Sequence, residues 1–269
     1  MNYAIVSQNK KGRETMINKH ESFSALLKHM FSISEDTASH NEIRERLLSG
    51  GKISGTNMVI MICAILIASV GLNTDSIAVI IGAMLVSPLM GTILAIAYGT
   101  ASANIEIPRK FGIGFAFQII VSVATATLYF LISPEKTATA QILARTQPSF
   151  FDVIIASAGG IAGIIGQTRQ DKANNIIPGV AIATALMPPL CTCGYSIANG
   201  QWAMLAGAFY LFMVNAYFIF FSADIVLTVL QIPKVQELTP EQWLVRKHKM
   251  VRNAIIMIIP TILLGYFVY

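Results

Sequence analysis

Long apolar runs separated by short charged gaps constrain this chain more than any other feature of its sequence. Only 12% of its 269 residues are charged, whereas soluble domains carry about a quarter. A helix needs about 20 apolar residues to cross a bilayer, and the runs are close to that length. We therefore predict an all-α integral membrane protein with about seven transmembrane helices. The predicted spans are Thr56–Leu72, Ser76–Gly99, Phe111–Ile132, Phe150–Gly166, Ile176–Ala198, Trp202–Leu230 and Asn253–Val268.

The basic residues predict how the chain is oriented in the membrane. If the N-terminus is cytoplasmic, seventeen Lys and Arg residues fall on the inner side and two, Lys136 and Arg145, on the outer side. Such a bias is typical of multi-pass membrane proteins. The formal net charge of +5 then reflects the flanks of the spans and indicates no nucleic-acid partner.

Residues 1–52 precede the first span and mix Lys, Arg, Glu and Ser with short amphipathic pieces. Surface helices are predicted at Ser22–Phe31 and Thr37–Leu48, and Gly50-Gly51 supplies a stop after the second. The segment has too few apolar residues for a core of its own. We expect a cytoplasmic segment that is helical or partly disordered.

An internal repeat relates the second and fifth predicted spans. Ala78–Gly99 reads AVIIGAMLVSPLMGTILAIAYG and Gly179–Gly200 reads GVAIATALMPPLCTCGYSIANG, with matches at eight of 22 aligned positions. The matches include Pro88 with Pro189, near the middle of each span. Spans one to three and four to six are therefore predicted to be two repeats. Because three is odd, the second repeat must enter the membrane from the opposite side, as in many transporters.

The repeats also set the predicted domain boundaries. Each repeat begins with a short helix rich in small residues, which ends at Gly71 or Gly166, and continues with the proline-containing span. The transmembrane domain is predicted at 53–269, comprising repeat one at about 53–133, repeat two at about 149–231 and a last helix at about 253–268.

The two aligned prolines predict breaks in spans two and five. Proline has no N–H and clashes with the carbonyl group four residues earlier, which costs about 3 kcal/mol in a helix interior. Each break would start a half-helix whose partly positive N-terminus points to the membrane centre and favours an anionic or neutral polar ligand. The simpler alternative is that both prolines only kink packed helices. The candidate solute-binding residues are Ser87, Pro88, Gly91, Thr92, Thr184, Pro188, Pro189, Thr192 and Asn215.

Three further features within the spans have alternative interpretations. Asp224, in the inner third of span six, is a candidate site for a coupling proton or sodium ion, or a carboxylate that faces cytoplasmic water. Asn215 lies deeper and suits either a hydrogen bond between helices or a contact with solute. Gly159, Gly163 and Gly166 follow small-xxx-small spacing, which predicts close helix packing within the chain or between protomers of a homo-oligomer.

Two blocks of the sequence resemble a known family. ASVGLNTDSIAVIIGAMLVSPLMGTILAIAYG, residues 68–99, and GVAIATALMPPLCTCGYSIANG, residues 179–200, are similar to the paired signatures of the bacterial and archaeal membrane family catalogued as domain of unknown function 389. The similarity extends over about residues 48–230. It implies a protein of a bacterial or archaeal cell (inner) membrane in which these blocks are important. It carries over no catalytic residues and names no solute.

The paired breaks predict a membrane transporter that binds a small polar or anionic solute at mid-membrane between the two broken helices. An ion channel and a non-transporting membrane scaffold or sensor are the alternatives. We expect no enzyme, because the four histidines lie outside the spans and the sequence has no phosphate loop, dinucleotide fingerprint or metallopeptidase motif. The expected partners are the lipid bilayer and a small solute or ion, with no cofactor and no metal.

Overall fold

The computed structural model describes the backbone at residues 37–170, 176–235 and 239–268. Side chains are described at the same positions apart from 176–185, 257 and 260–268. The chain divides into two compact units, Met1–Thr37 and Ala38–Tyr269, and all of the described helices lie in the second. The helix predicted at Ser22–Phe31 lies outside the described residues.

The second unit is built from α-helices joined by short turns. The surface helix predicted at Thr37–Leu48 is present in the structure at His40–Gly50, and Gly51 is its C-cap. The described helices are α1 (His40–Gly50), α2 (Gly55–Asn73), α3 (Ile77–Val86), α4 (Leu89–Ala101), α5 (Glu106–Ile132), α6 (Ala140–Leu143), α7 (Phe150–Thr168), α8 (Ile176–Ala198), α9 (Trp202–Val229) and α10 (Pro240–Val268).

The described helices include several that can cross a membrane. Four of them, α2, α5, α7 and α9, are long and apolar enough, and α3 with α4 adds a fifth if the bent pair is one span. The predicted class, an all-helical multi-pass membrane protein, is therefore confirmed. These helices lie within a few residues of predicted spans, and the largest difference is that α5 begins at Glu106 rather than at Phe111.

The last helix begins earlier than predicted. The seventh span was placed at Asn253–Val268, whereas α10 begins at Pro240. Proline suits the first position of a helix, because its missing N–H is not needed there. Thr239 Oγ1 accepts a hydrogen bond from the N–H of Gln242 at 3.3 Å, and Gln242 Oε1 accepts one from the N–H of Thr239 at 3.2 Å. This reciprocal cap stabilises the start of α10. The helix therefore has a charged first half before the predicted apolar span.

The two aligned prolines behave differently. Span two is broken as predicted, since α3 ends at Val86, α4 begins at Leu89 and the two helices are bent by 48°. The predicted break in span five is wrong, because α8 continues through Pro188 and Pro189.

Burial explains why α8 tolerates its prolines. Met187, before the proline pair, is fully buried, whereas Val86, the residue aligned with it, is half exposed. Leu190 and Leu89, which follow the prolines, are both buried, so the difference lies on the preceding side. Truncating one buried Leu or Met side chain costs about 2–5 kcal/mol, which equals or exceeds the penalty of about 3 kcal/mol for a proline inside a helix. Neighbouring helices therefore hold α8 continuous, while the same penalty opens the chain after Val86.

Small residues allow α7 and α9 to approach closely. Gly160 on α7 lies against Ile219 and Ser222 of α9, and a Cβ atom on it would come within 2.7 Å of the Ile219 carbonyl oxygen. Gly159 and Gly163 are buried on the same helix. Gly160, next to the predicted stripe of Gly159, Gly163 and Gly166, thus makes a close packing contact within the chain, and a homo-oligomer stays a prediction.

Helix α1 packs against α4 and α7. Its buried Ile43 and Leu47 share an apolar cluster with Leu94 and Tyr98 of α4. Arg46 donates hydrogen bonds to main-chain carbonyl groups at the end of α7, those of Gln167, Arg169 and Gln170. A basic side chain suits the C-terminus of a helix, where carbonyl groups have no intrahelical partner. Arg46 thus ties α1 to the second predicted repeat, while the apolar cluster ties it to the first.

Candidate membrane-embedded site

The break between α3 and α4 lies near the middle of the bent helix pair. α3 follows directly on the turn that ends α2, and its 10 residues cover about 15 Å at about 1.5 Å per residue. That is half of a hydrocarbon core about 30 Å thick. Hydrocarbon offers no partner for backbone groups released at such a break, so protein, water or a ligand must supply one.

Ser87 and Pro88 form the link between the two half-helices. Ser87 has φ −72° and ψ 128°, an extended conformation that is usual for a residue before proline. Its Oγ atom accepts a hydrogen bond from the N–H of Leu89 at 3.5 Å. Pro88, and not Ser87, holds the N-cap position of α4. The first-turn N–H groups of α4 have no intrahelical acceptors and point back toward the break.

The first turn of α4 is covered by the backbone of Gly50 and Gly51. A Cβ atom at Gly91 would overlap the Gly50 carbonyl group. A Cβ atom on Gly51 would lie 2.7 Å from the Cβ of Ala95 and 2.9 Å from the Gly91 carbonyl oxygen. The close approach that the sequence predicted for a ligand at Gly91 is therefore made by the chain's own backbone.

Thr92 is buried and connects α4 to two other segments. Its Oγ1 atom lies 3.0 Å from Oε1 of Gln118 on α5 and 3.5 Å from the Gly51 carbonyl oxygen. Gln118 is 1% exposed and was not among the predicted site residues. An amide inside an apolar span was the signal that could have found it, because such groups usually bond across helices.

The second proline segment lies beside the first. α8 packs against both α3 and α4. One apolar core contains residues that flank both proline segments: Met84, Leu89, Leu186, Met187 and Leu190. Side-chain packing is therefore what surrounds Pro188 and Pro189, rather than the backbone of a second broken helix.

Thr192 is a predicted site residue with an unsatisfied polar group. It follows Pro188 by one helical turn and is fully buried. Its Oγ1 atom has no hydrogen-bond partner among the residues that the structure describes. Leaving a buried hydroxyl unpaired costs about 1–3 kcal/mol, which a bound polar group would recover. The side chain of Thr184 lies outside the described residues.

Asp224 on α9 forms an ion pair with Arg246, which was not among the predicted site residues. Its Oδ1 atom accepts a hydrogen bond from Nη2 of Arg246 on α10 at 2.8 Å, and its side chain is 5% exposed. Breaking a buried ion pair by removing one partner costs about 3–5 kcal/mol. Ion coupling at Asp224 stays a prediction, and it would require Arg246 to release the carboxylate. Asn215, also on α9, is buried.

The predicted residues therefore fall into separate places. The break and the first turn of α4 bring together Ser87, Pro88, Gly91 and Thr92, and α8 lies alongside with Thr192. Asp224 instead belongs to the contact between α9 and α10.

These features define a class, the multi-pass α-helical membrane proteins, and the described part of this chain contains a bent helix pair. Within that class, the family described as Domain of unknown function (DUF389) matches residues 84–221, about half of the chain, and the chain belongs to that family. The family resemblance of the two proline-containing blocks is thereby confirmed.

An archaeal protein is also similar to this chain. Uncharacterized protein MJ0678 of Methanocaldococcus jannaschii is 28% identical over 174 residues, which is 65% of this chain and 54% of that protein. The chain thus spans about half the length of this relative. No solved structure matches the chain.

Gly51→Ala tests the contact between α1 and α4. The added Cβ would press on Ala95 and on the Gly91 carbonyl group, so we expect α1 to separate from α4 more readily. Overpacking of this kind costs about 1–3 kcal/mol. Gly50→Ala is the matched control, because a Cβ there has no neighbour within 4 Å. Limited trypsin digestion at Arg44 should be faster in Gly51→Ala than in Gly50→Ala, and equal rates would contradict the contact.

Proposed function

We propose that the protein is a membrane transporter for a small polar or anionic solute, which binds at the break between α3 and α4. The observation that carries this proposal is the bent pair, in which the chain leaves helical geometry at Ser87 and Pro88 after about 15 Å of α3. Discontinuous helices at this depth recur at the solute sites of secondary transporters. A protein that only anchors a scaffold has no need for such a break.

Two inverted repeats are the architecture that we infer for this transporter. Helix packing supports it, because α4 of the first repeat packs against α9 and α8 of the second packs against α5, which is the reciprocal pair. Within the repeats, α2 packs against α3 and α5, and α7 packs in the corresponding way against α8 and α9. Since only the first copy is broken, the proposed solute site is asymmetric.

We further infer seven spans with a cytoplasmic N-terminus. In this topology α8 and α10 cross the membrane in addition to the bent pair and the four long helices. The excess of seventeen basic residues over two supports the orientation. The position of α1 is consistent with it, because α1 packs on α4 and α7, whose C-terminal ends both lie on the inner side in this topology.

A scan of reporter fusions tests the topology. Alkaline phosphatase is active only outside the cytoplasm, so we expect activity when it is fused after Ala138 and none when it is fused after Ala103 or Gln170. Green fluorescent protein at the same three positions should give the reverse pattern. Phosphatase activity after Ala103 would exclude a cytoplasmic N-terminus with this number of spans.

The groups around the break favour an anionic or neutral polar solute. The N-terminus of α4 carries a partial positive charge and N–H groups that can donate to an anion. Thr192 on α8, which packs against α4, has a buried hydroxyl with no hydrogen-bond partner among the described residues. The one acid of α9, Asp224, is balanced by Arg246. The carbonyl groups at the end of α3 suit a cation instead, and a ligand screen distinguishes the two cases.

In this structure the break is covered on the side of α1. Gly50 and Gly51 lie on the first turn of α4, and Arg46 ties α1 to the end of α7. Alternating access would then require α1 to move away from α4. The same contact favours a second candidate function, a membrane sensor in which the N-terminal segment acts on the break.

Loss of the Ser87 hydroxyl tests the solute site. A thermal-shift screen of small anions and cations against the purified protein first identifies a stabilising solute. Ser87→Ala is expected to weaken its Kd by at least about tenfold, because a hydrogen bond to a charged group contributes about 1.5–3 kcal/mol, and to leave the protein yield unchanged. Ser222→Ala is the matched control, since Ser222 Oγ donates within α9 to the Phe218 carbonyl oxygen at 2.7 Å.

The outcomes separate the candidate functions. An unchanged Kd in Ser87→Ala, or an equal change of the Kd in Ser222→Ala, would show that Ser87 does not bind the solute and only packs in the protein. A current far above carrier turnover in a planar bilayer would identify an ion channel. A screen without any stabilising solute, together with no flux into proteoliposomes, would favour the scaffold or sensor.

A further inference from the structure

The first half of α10 forms one wall of a cavity whose lining is mostly apolar but includes several polar side chains. The cavity has a volume of about 560 Å³, and its other walls include Thr100 at the end of α4 and Tyr217 and Phe220 on α9. The polar side chains that α10 contributes are Glu241, Gln242, Arg246, Lys249 and Asn253.

A stripe of polar residues on α10 faces this cavity. Gln242, Arg246, Lys249 and Asn253 are separated by four, three and four positions, which places them on one face of the helix. Leu244, on the opposite face, is 51% exposed. α10 therefore directs this polar stripe toward α4 and α9 and leaves an apolar side chain facing outward.

Two contacts hold the stripe against α9. The Tyr217 hydroxyl donates a hydrogen bond to the Met250 carbonyl oxygen at 2.6 Å. Arg246 forms its ion pair with Asp224 at 2.8 Å. The cavity wall is therefore fixed by specific contacts at two neighbouring turns of α10.

One end of the cavity is positively charged, at Lys249. Asp224 balances Arg246, whereas Lys249 forms no ion pair within the part of the chain that the structure describes. Glu241 is the acid of the lining, but it precedes Lys249 by eight positions, which is about 12 Å along the helix. The guanidinium of Arg246 has five N–H donors, and its bond to Asp224 uses one of them. A lysine and the remaining donors of an arginine are therefore available to an anion.

The position of the cavity along α10 indicates which anion it meets. Arg252 is the last charged residue of the helix, which continues as AIIMIIPTILLGYFV from Ala254 to Val268. In a membrane, such a change from charged to apolar sequence lies at the level of the lipid headgroups. Phosphate oxygens are strong acceptors at this level, and Arg and Lys are their usual donors.

We infer that this cavity binds an anionic phosphate group, with Lys249 and Arg246 as the charged donors and the amides of Gln242 and Asn253 beside them. A lipid headgroup and free phosphate share this chemistry. The cavity does not include Ser87 or the rest of the break, so the inference stands apart from the proposed transport function.

Titration of the full chain in detergent with phosphatidylglycerol tests the site, with the Kd read by native mass spectrometry. Lys249→Ala is expected to weaken the Kd by about tenfold, the loss expected for one charge-assisted hydrogen bond to phosphate. Lys247→Ala is the matched control, because it removes the same charge two positions away, where Lys247 Nζ lies 5.3 Å from the ring centroid of Trp243. Its Kd is expected to stay unchanged.

Parallel titrations use inorganic phosphate, to identify the source of the phosphate, and diacylglycerol, a lipid without phosphate, as the control. If Lys249→Ala but not Lys247→Ala weakens the affinity for phosphatidylglycerol, the result supports a site for a lipid headgroup. If Lys249→Ala weakens only the affinity for inorganic phosphate, the result supports a site for soluble phosphate. Equal losses of affinity in Lys247→Ala and Lys249→Ala would overturn the inference, because they indicate general surface charge. Equal affinity for diacylglycerol would also overturn it, because a lipid without phosphate would then bind as well.

Discussion

The hydrocarbon core of a bilayer offers backbone N–H and C=O groups no hydrogen-bond partner, and this constraint governs the whole structure. The four long helices pair their backbone groups within each helix, whereas the bent pair leaves backbone groups unpaired at its break. At Ser87 and Pro88 the released backbone groups need protein, water or a ligand. The backbone of Gly50 and Gly51 covers the turn that follows the break, and the Thr92 hydroxyl on that turn bonds to its neighbours. The neighbouring segments are thus arranged around one interruption of helical geometry.

Local features of the sequence were enough to predict much of the fold. The apolar runs predicted the spans because bilayer thickness fixes helix length, and Pro88 predicted the break because proline disrupts the helix that contains it. The reciprocal cap between Thr239 and Gln242 was visible in the sequence and would have given the start of α10. The break at Pro189 was wrongly predicted, since the packing around α8 comes from other helices and cannot be read from the sequence of α8 itself.

The surroundings of the candidate site depend on contacts between distant parts of the chain. Gly51 was predicted only to stop a surface helix, yet its carbonyl oxygen lies 3.5 Å from the Thr92 hydroxyl, 41 positions later. Arg246 was counted only as part of a basic flank, yet it balances a buried carboxylate 22 positions earlier. Spacing along one helix reveals neither contact. The sequence could therefore identify residues at the break, but not the segments that cover it.

Transport through the break requires water to reach Ser87. Thiol labelling of Ser87→Cys tests this most directly, in a protein whose native Cys63, Cys191 and Cys193 are replaced by alanine. Thiols react as thiolates, which form in water and not in lipid. A small water-soluble thiol reagent is predicted to modify Ser87→Cys but not Leu85→Cys, which places its thiol on the exposed apolar face of α3. No modification of either variant in folded protein would contradict a hydrated break and leave only the helical membrane architecture.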